Sequence, residues 1–256
     1  MNLSQEIDEA LEFIQVFSIR IFGVTISINE TIIISWIVMA ILVIGSLIIS
    51  SRLKTIPRGF QVIVETAVEF LNGFSGKQFG RRAKFFGPYI GSLFLFLLLA
   101  NIIPVLSPVG VSFAGHHFKP LFVIKPPARD INFTAALAII TILMVIISGI
   151  GARGIKGWIK KLFHPVPMML PFNLLEYLIR PTSLCLRLFG NILGGFIIMR
   201  LIEAVMPIAL PPVISLWFDF LDGLIQALVF AFLTTLYIAE AIEVEAEAET
   251  ETGVSA

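Results

Sequence analysis

Apolar residues run without a charge over Thr31 to Ser51, Phe85 to Val105 and Ile131 to Ala152. About 20 residues at a rise of about 1.5 Å cross a hydrocarbon layer of about 30 Å, so each run predicts a spanning helix. Between the first two, Pro57 to Gly76 has a different pattern. Phe60, Ile63, Val64, Ala67, Phe70, Leu71 and Phe74 recur at helical spacing opposite Gln61, Glu65, Glu69 and Asn72, which predicts an amphipathic helix lying in the interface. Gly154 to Phe163 predicts a second, shorter one, with Ile155, Trp158, Ile159 and Leu162 set against Lys156, Lys160 and Lys161.

The last third departs from this pattern in length. Pro171 to Met206 and Pro212 to Ile242, separated by a turn at Pro207, Pro211 and Pro212, would each exceed about 45 Å as one helix, against about 30 Å of hydrocarbon. Such helices tilt, kink or lie partly in the interface. Pro181 is a candidate kink in the first. The predicted fold class is all-α: about five spanning helices plus interfacial amphipathic helices, ending in a long, strongly tilted hairpin. The expected divisions are an outer amino-terminal segment over 1–30, three spanning helices with interfacial helices over 31–165, the hairpin over 166–242, and a disordered acidic tail over 243–256.

Polar positions inside the long pair form the second departure. Ser183, Arg187, Gly190, Asn191 and Gly194 share one helical face, and three of the five are small enough for a close neighbour. On the following helix Asp219, Asp222, Gly223 and Gln226 form a stripe. Ionisable groups in spans are costly and mark ion paths, and arginine stays protonated at any accessible pH. On spacing alone, plainer readings stand beside this one. Arg187 could snorkel to the interface. The glycines and Asn191 could form an ordinary helix contact. Asp219 and Asp222 could sit at a helix end, and Arg200 and Glu203 could be an intrahelical pair.

Composition agrees with the spans: 57% of the 256 residues are hydrophobic, 14% are charged, and mean hydropathy is +0.94. Soluble domains carry about 25% charged residues. Eighteen basic and eighteen acidic residues cancel, and no nucleic-acid partner is expected. The single Cys185 excludes an intramolecular disulfide and reads as a small packing residue. His116, His117 and His164 read as loop residues; no metal or cofactor is expected. The amino end, with four acidic residues and no basic one before Phe13, lacks the basic region of a signal peptide.

Basic residues accumulate on the cytoplasmic side. The connection after the first span holds Arg52, Lys54, Arg58, Lys77, Arg81, Arg82 and Lys84, whereas the next holds only Lys119, Lys125 and Arg129. The amino end is therefore expected outside. Arg153, Lys156, Lys160 and Lys161 return the chain to the inside, and two further crossings leave the glutamate-rich tail there. No phosphate loop of the GxxxxGK type, zinc motif of the HExxH type or GxSxG elbow occurs. A secondary transporter remains the main alternative, although the unusual helix pair occurs once rather than as a repeat.

The stretch from His164 to Gly195, HPVPMMLPFNLLEYLIRPTSLCLRLFGNILGG, resembles the signature of subunit a of F-type ATP synthases. Three further blocks follow the family's order: PRGFQVIVETAVEFLNGF from Pro57, RDINFTAALAI from Arg129 and FDFLDGLIQALVFAFLTTLYIAEAIE from Phe218. The resemblance implies an ion-translocating stator subunit with two half-channels, which couples proton flow to rotation of a c-subunit ring. Its implied partners are that ring, the peripheral-stalk b subunits, the F1 sector and the bilayer, most naturally a bacterial inner membrane. It implies that Arg187 is the stator arginine, Asn191 its polar neighbour, Gln226 the glutamine facing it, and Asp219 the outer half-channel acid. Asp130 matches the acid of an Asp-x-Asn motif that opens a span. Ser183, Gly190 and Gly194 would lie toward the rotor. Where many relatives carry a Glu or His nine residues after the arginine, Phe196 stands here, which leaves Asp222 or Glu203 as candidate relays. The resemblance implies no nucleotide chemistry on this chain.

Overall fold

The computed structural model describes residues 15–21, 24–54, 59–103, 112–113, 116–117, 126–163, 168, 170–205 and 210–242. Two strands, β1 (Gln15–Ile21) and β2 (Val24–Asn29), precede helix α1 (Glu30–Ser51). Then come α2 (Phe60–Phe79), a 3-10 turn (Gly80–Arg82), α3 (Ala83–Ile102), the short strands β3 (Ser112–Phe113) and β4 (His116–His117), a 3-10 turn (Pro127–Arg129), α4 (Ile131–Leu162), α5 (Leu170–Val205) and α6 (Leu210–Ile242). The all-α membrane class holds. By length and composition α1, α3, α4 and the Phe220–Ile242 part of α6 can cross a membrane. Helix α5 has 36 residues, but Glu176, Arg180, Arg187 and Asn191 interrupt its apolar run.

The two hairpins add to the predicted picture. Strands β1 and β2 pair antiparallel with Phe17 opposite Ile28, Ile19 opposite Ile26, and Ser18 opposite Ser27. Apolar positions thus pair with apolar ones and polar with polar, the period-two alternation that a two-faced strand needs.

The chain forms two compact units, and α3, α4, α5 and α6 each contribute residues to both. The first comprises Met1–Leu53, Leu95–Phe133 and Phe189–Ala227. Its core sets Ile34 and Val38 of α1 with Ala100 of α3, flanked by Leu42, Phe96, Leu99 and Ile103. Positions four apart stack on one face, so α1 buries a single narrow stripe. Its other large apolar residues, Trp36 and Leu47 among them, stay exposed, as suits a helix whose solvent is lipid. Asp130 opens α4 from this unit: its Oδ1 accepts from the Asn132 backbone N–H at 2.9 Å and from Asn132 Nδ2 at 3.0 Å. That satisfies a first-turn donor with no carbonyl above it and explains the Asp-x-Asn spacing.

The second unit comprises Lys54–Phe94, Thr134–Leu188 and Leu228–Ala256. Phe79, Phe86, Ile90, Val145, Ala231 and Ile238 lie in its core. Among the described side chains the interfacial helix α2 buries Leu71, Ser75 and Phe79, and Phe70 is exposed. Helix α4 is two helices joined at Gly154, whose φ of 70° and ψ of 165° are non-helical. The predicted spanning and amphipathic segments therefore meet where they were expected to meet, at a residue without a Cβ to oppose positive φ. The turn returns Trp158 over Gly149, where an added Cβ would lie 3.1 Å from Trp158 Cδ1. Trp158 also meets Tyr177 edge-on at 5.9 Å.

Candidate functional site

Helix α5 carries most of the candidate residues, and its burial pattern sorts them. Leu184, Cys185 and Leu188 are buried, and Cys185 Sγ lies 3.4 Å from Thr134 Oγ1. Cys185 is thus a packing residue, as its apolar setting predicts. Arg187, Gly190 and Asn191 are exposed on the other side of the helix, with Ser183 and Gly194 half-buried. An added Cβ at Gly190, Gly194 or Gly195 would meet nothing within 4 Å. Among the described residues, then, the small residues make no tight contact.

Two arginines seven residues apart on α5 have opposite settings. Arg180 Nη2 donates to Glu240 Oε1 and Oε2 at 2.7 and 2.8 Å and also to Glu176 Oε1, while its guanidinium lies 4.9 Å from the centre of the Tyr237 ring. Its charge is answered twice and its plane is stacked, an arrangement that suits a forked cation. Arg187 has no hydrogen bond or ion pair among the described residues.

In the first unit, Asn191 Nδ2 donates to Gln226 Oε1 at 2.8 Å, so the second polar residue of α5 meets the α6 stripe. Gln226 is 1% exposed, and its Nε2 has no partner among the described residues. Asp222 is half-buried one turn before it, and Gly223 between them is buried. A Cβ on Gly223 would lie 2.8 Å from Asn101 Cβ, closer than real carbon atoms approach. Glycine is needed here to let α3 and α6 touch. Asn101, buried at 3% exposure within an apolar run, is a member of this polar group that sequence reasoning did not single out. An amide interrupting FLFLLLANII was the available signal.

The side chains of Asp219, Glu203, Phe196 and Arg200 lie outside the described residues, although their backbones are helical in α6 and α5. His164 lies outside altogether, and of His116 and His117 only the strand β4 is described. Among the described residues no group of three or more His, Cys, Asp or Glu could hold a metal.

Residues 32–239 match the family model described as ATP synthase A chain. The chain belongs to that family. It is 35% identical over 221 residues to the "ATP synthase subunit a, sodium ion specific" of Propionigenium modestum, which covers 86% of this chain and 75% of the relative. It is 36% identical over 214 residues to ATP synthase subunit a of Moorella thermoacetica, covering 84% and 91% of the two chains. With subunit a 1 of Crocosphaera subtropica it shares 36% over 222 residues, covering 86% and 90%. Membership in the ATP synthase A chain family decides between the readings left open above: the chain is an ion-translocating stator subunit of the membrane sector of an ATP synthase, not a secondary transporter.

Proposed function

We propose that this subunit carries two half-channels to a ring of c subunits and that Arg187 separates them. The observation that carries the reading is the contrast on α5: Arg180 is matched by two carboxylates, whereas Arg187 stands without a described partner on a face cleared by Gly190 and Gly194. A permanent cation in a spanning hairpin needs an anion, and an open small-residue face suits one delivered from another subunit.

The mechanism is electrostatic. A rotor carboxylate crosses lipid only when neutral, because an isolated charge in hydrocarbon costs many kcal/mol. It therefore loads from one half-channel and unloads into the other. At about 4 Å and an effective dielectric near 20, Arg187 attracts the ionised carboxylate by about 4 kcal/mol, which favours discharge at that point without Arg187 itself carrying the ion. Ion flow becomes rotation because the site advances only after it reloads. Asn191 and Gln226 are a polar pair of the path, Asp219 is the outer half-channel acid, and Asp222 or Glu203 serves where Phe196 cannot.

In the same reading the hairpin over 166–242 carries the path beside the three spanning helices with interfacial helices over 31–165, and the peripheral-stalk b subunits are partners of the chain. The F1 sector is coupled through the complex, and the chain itself performs no nucleotide chemistry. The membrane is the bacterial inner membrane, with the 1–30 segment outside and the 243–256 tail in the cytoplasm. The test is Arg187→Ala in the reconstituted complex. ATP synthesis and ATP-driven pumping should be abolished with the complex assembled. Arg187→Lys should also fail, since a point charge on a flexible stem loses its proton more readily when desolvated. Normal synthesis in an assembled Arg187→Ala complex would sink the reading.

A further inference from the structure

We propose that Asn101 of α3 is a positioning residue of the ion path, holding water together with Gln226. The inference rests on the ion-path reading above and extends it to a third helix. Asn101 is 3% exposed, in a run whose neighbours are all apolar, and its Cβ is the nearest atom to the space a side chain on Gly223 would take. Leucine would fill that role without burying an amide, so packing alone does not account for it.

The amide end is scarcely used among the described residues. Asn101 Nδ2 reaches the Gly223 carbonyl at 3.5 Å, the outer limit of a hydrogen bond, and Oδ1 has no partner among the described residues. Helix carbonyls point toward the C-terminal end, so the Gly223 carbonyl lies beside the turn that carries Gln226. Gln226 presents the complementary group: Oε1 is taken by Asn191, and the buried Nε2 donor has no partner among the described residues. One unpaired acceptor and one unpaired donor, each more than nine-tenths buried and flanking the same turn of α6, are the groups that bind internal water. Asp222, the residue before Gly223, brings a carboxylate to that turn. Water held by Asn101 and Gln226 would keep the passage wet where α3 and α6 are otherwise in contact.

Two substitutions in the whole complex separate this from a packing role, because the two roles predict opposite orders. If Asn101 only packs, Asn101→Leu should be neutral or beneficial, and Asn101→Asp, which buries a charge, should be the worse. If Asn101 holds water, Asn101→Leu should reduce ATP-driven pumping and passive ion conductance in liposomes by about tenfold, the scale of one lost hydrogen-bond partner. Asn101→Asp, which keeps Oδ1, should then retain most of the flux and acquire a new pH dependence. Normal flux in Asn101→Leu overturns the inference. If both variants are impaired or fail to assemble, Asn101→Cys in a Cys185→Ser background decides. Inhibition of its flux by silver ions supports water at this position, and insensitivity overturns it. Failure here with an inactive Arg187→Ala complex removes the role of Asn101 alone; normal synthesis in Arg187→Ala removes the reading beneath it.

Discussion

Gly223→Ala puts a number on the contact between α3 and α6. The new Cβ would lie 2.8 Å from Asn101 Cβ, while ordinary contacts begin at 3.4 Å, so the two atoms must part by about 0.6 Å. Neither is the end of a flexible side chain; each is bonded directly to a helix backbone, and relief requires movement of a helix. Overpacking of this kind costs about 1 to 3 kcal/mol. Alanine returns up to about 1 kcal/mol, since glycine is the poorer helix former. The net expectation is a loss of up to about 3 kcal/mol, centred near 1 to 2. Gly45→Ala on α1 is the control, because a Cβ there meets nothing within 4 Å and should give a small gain. Thermal inactivation of ATP-driven pumping in the reconstituted complex, read beside thermal unfolding of the purified subunit in detergent, measures both effects. Gly223→Ala should unfold at lower temperature than Gly45→Ala and pump more slowly, because the spread helices carry Asn101, Asp222 and Gln226. In Asn101→Gly the same change should lose most of its cost, the mark of two residues in direct contact. Equal stability and equal pumping in Gly223→Ala and Gly45→Ala would refute the close approach.

Two further predictions concern the path and its orientation. Asp219→Asn should slow ATP-driven pumping more than Asp222→Asn, and the double variant should be worse than either; near-normal pumping in both single variants would move the outer path to Glu203. Ser4→Cys should react with a membrane-impermeant thiol reagent on intact cells and Ser255→Cys should not, both in a Cys185→Ser background; the reverse labelling would invert the topology.

The positions and lengths of the helices were legible along the chain because lipid leaves the backbone few options. Every N–H and C=O in a span must be satisfied within its own segment, so an apolar run of sufficient length is a helix. That is why α1, α3 and α4 lie where the charge-free runs place them, and why Gly154 breaks α4 between a spanning and an amphipathic pattern. The β1 and β2 alternation is present in the sequence but short, a weaker signal than the long apolar runs of the helices. The arginine signature told the family, since its residue types at fixed spacing are far more specific than hydropathy.

Tertiary structure alone decided which faces are used. Helix α1 is apolar all round, so nothing in its sequence distinguishes Ile34 and Val38, which pack on α3, from Trp36 and Leu47, which do not. Arg180 and Arg187 are chemically identical, and besides Glu176 on its own helix the first gains Glu240 and the Tyr237 ring from a helix some 60 residues later. Asn101 belongs with Gly223 and Gln226 through a contact 122 residues apart in sequence. Hydrophobicity along a chain specifies what must leave water, whereas pairing between distant groups depends on distances that exist only after the helices have packed.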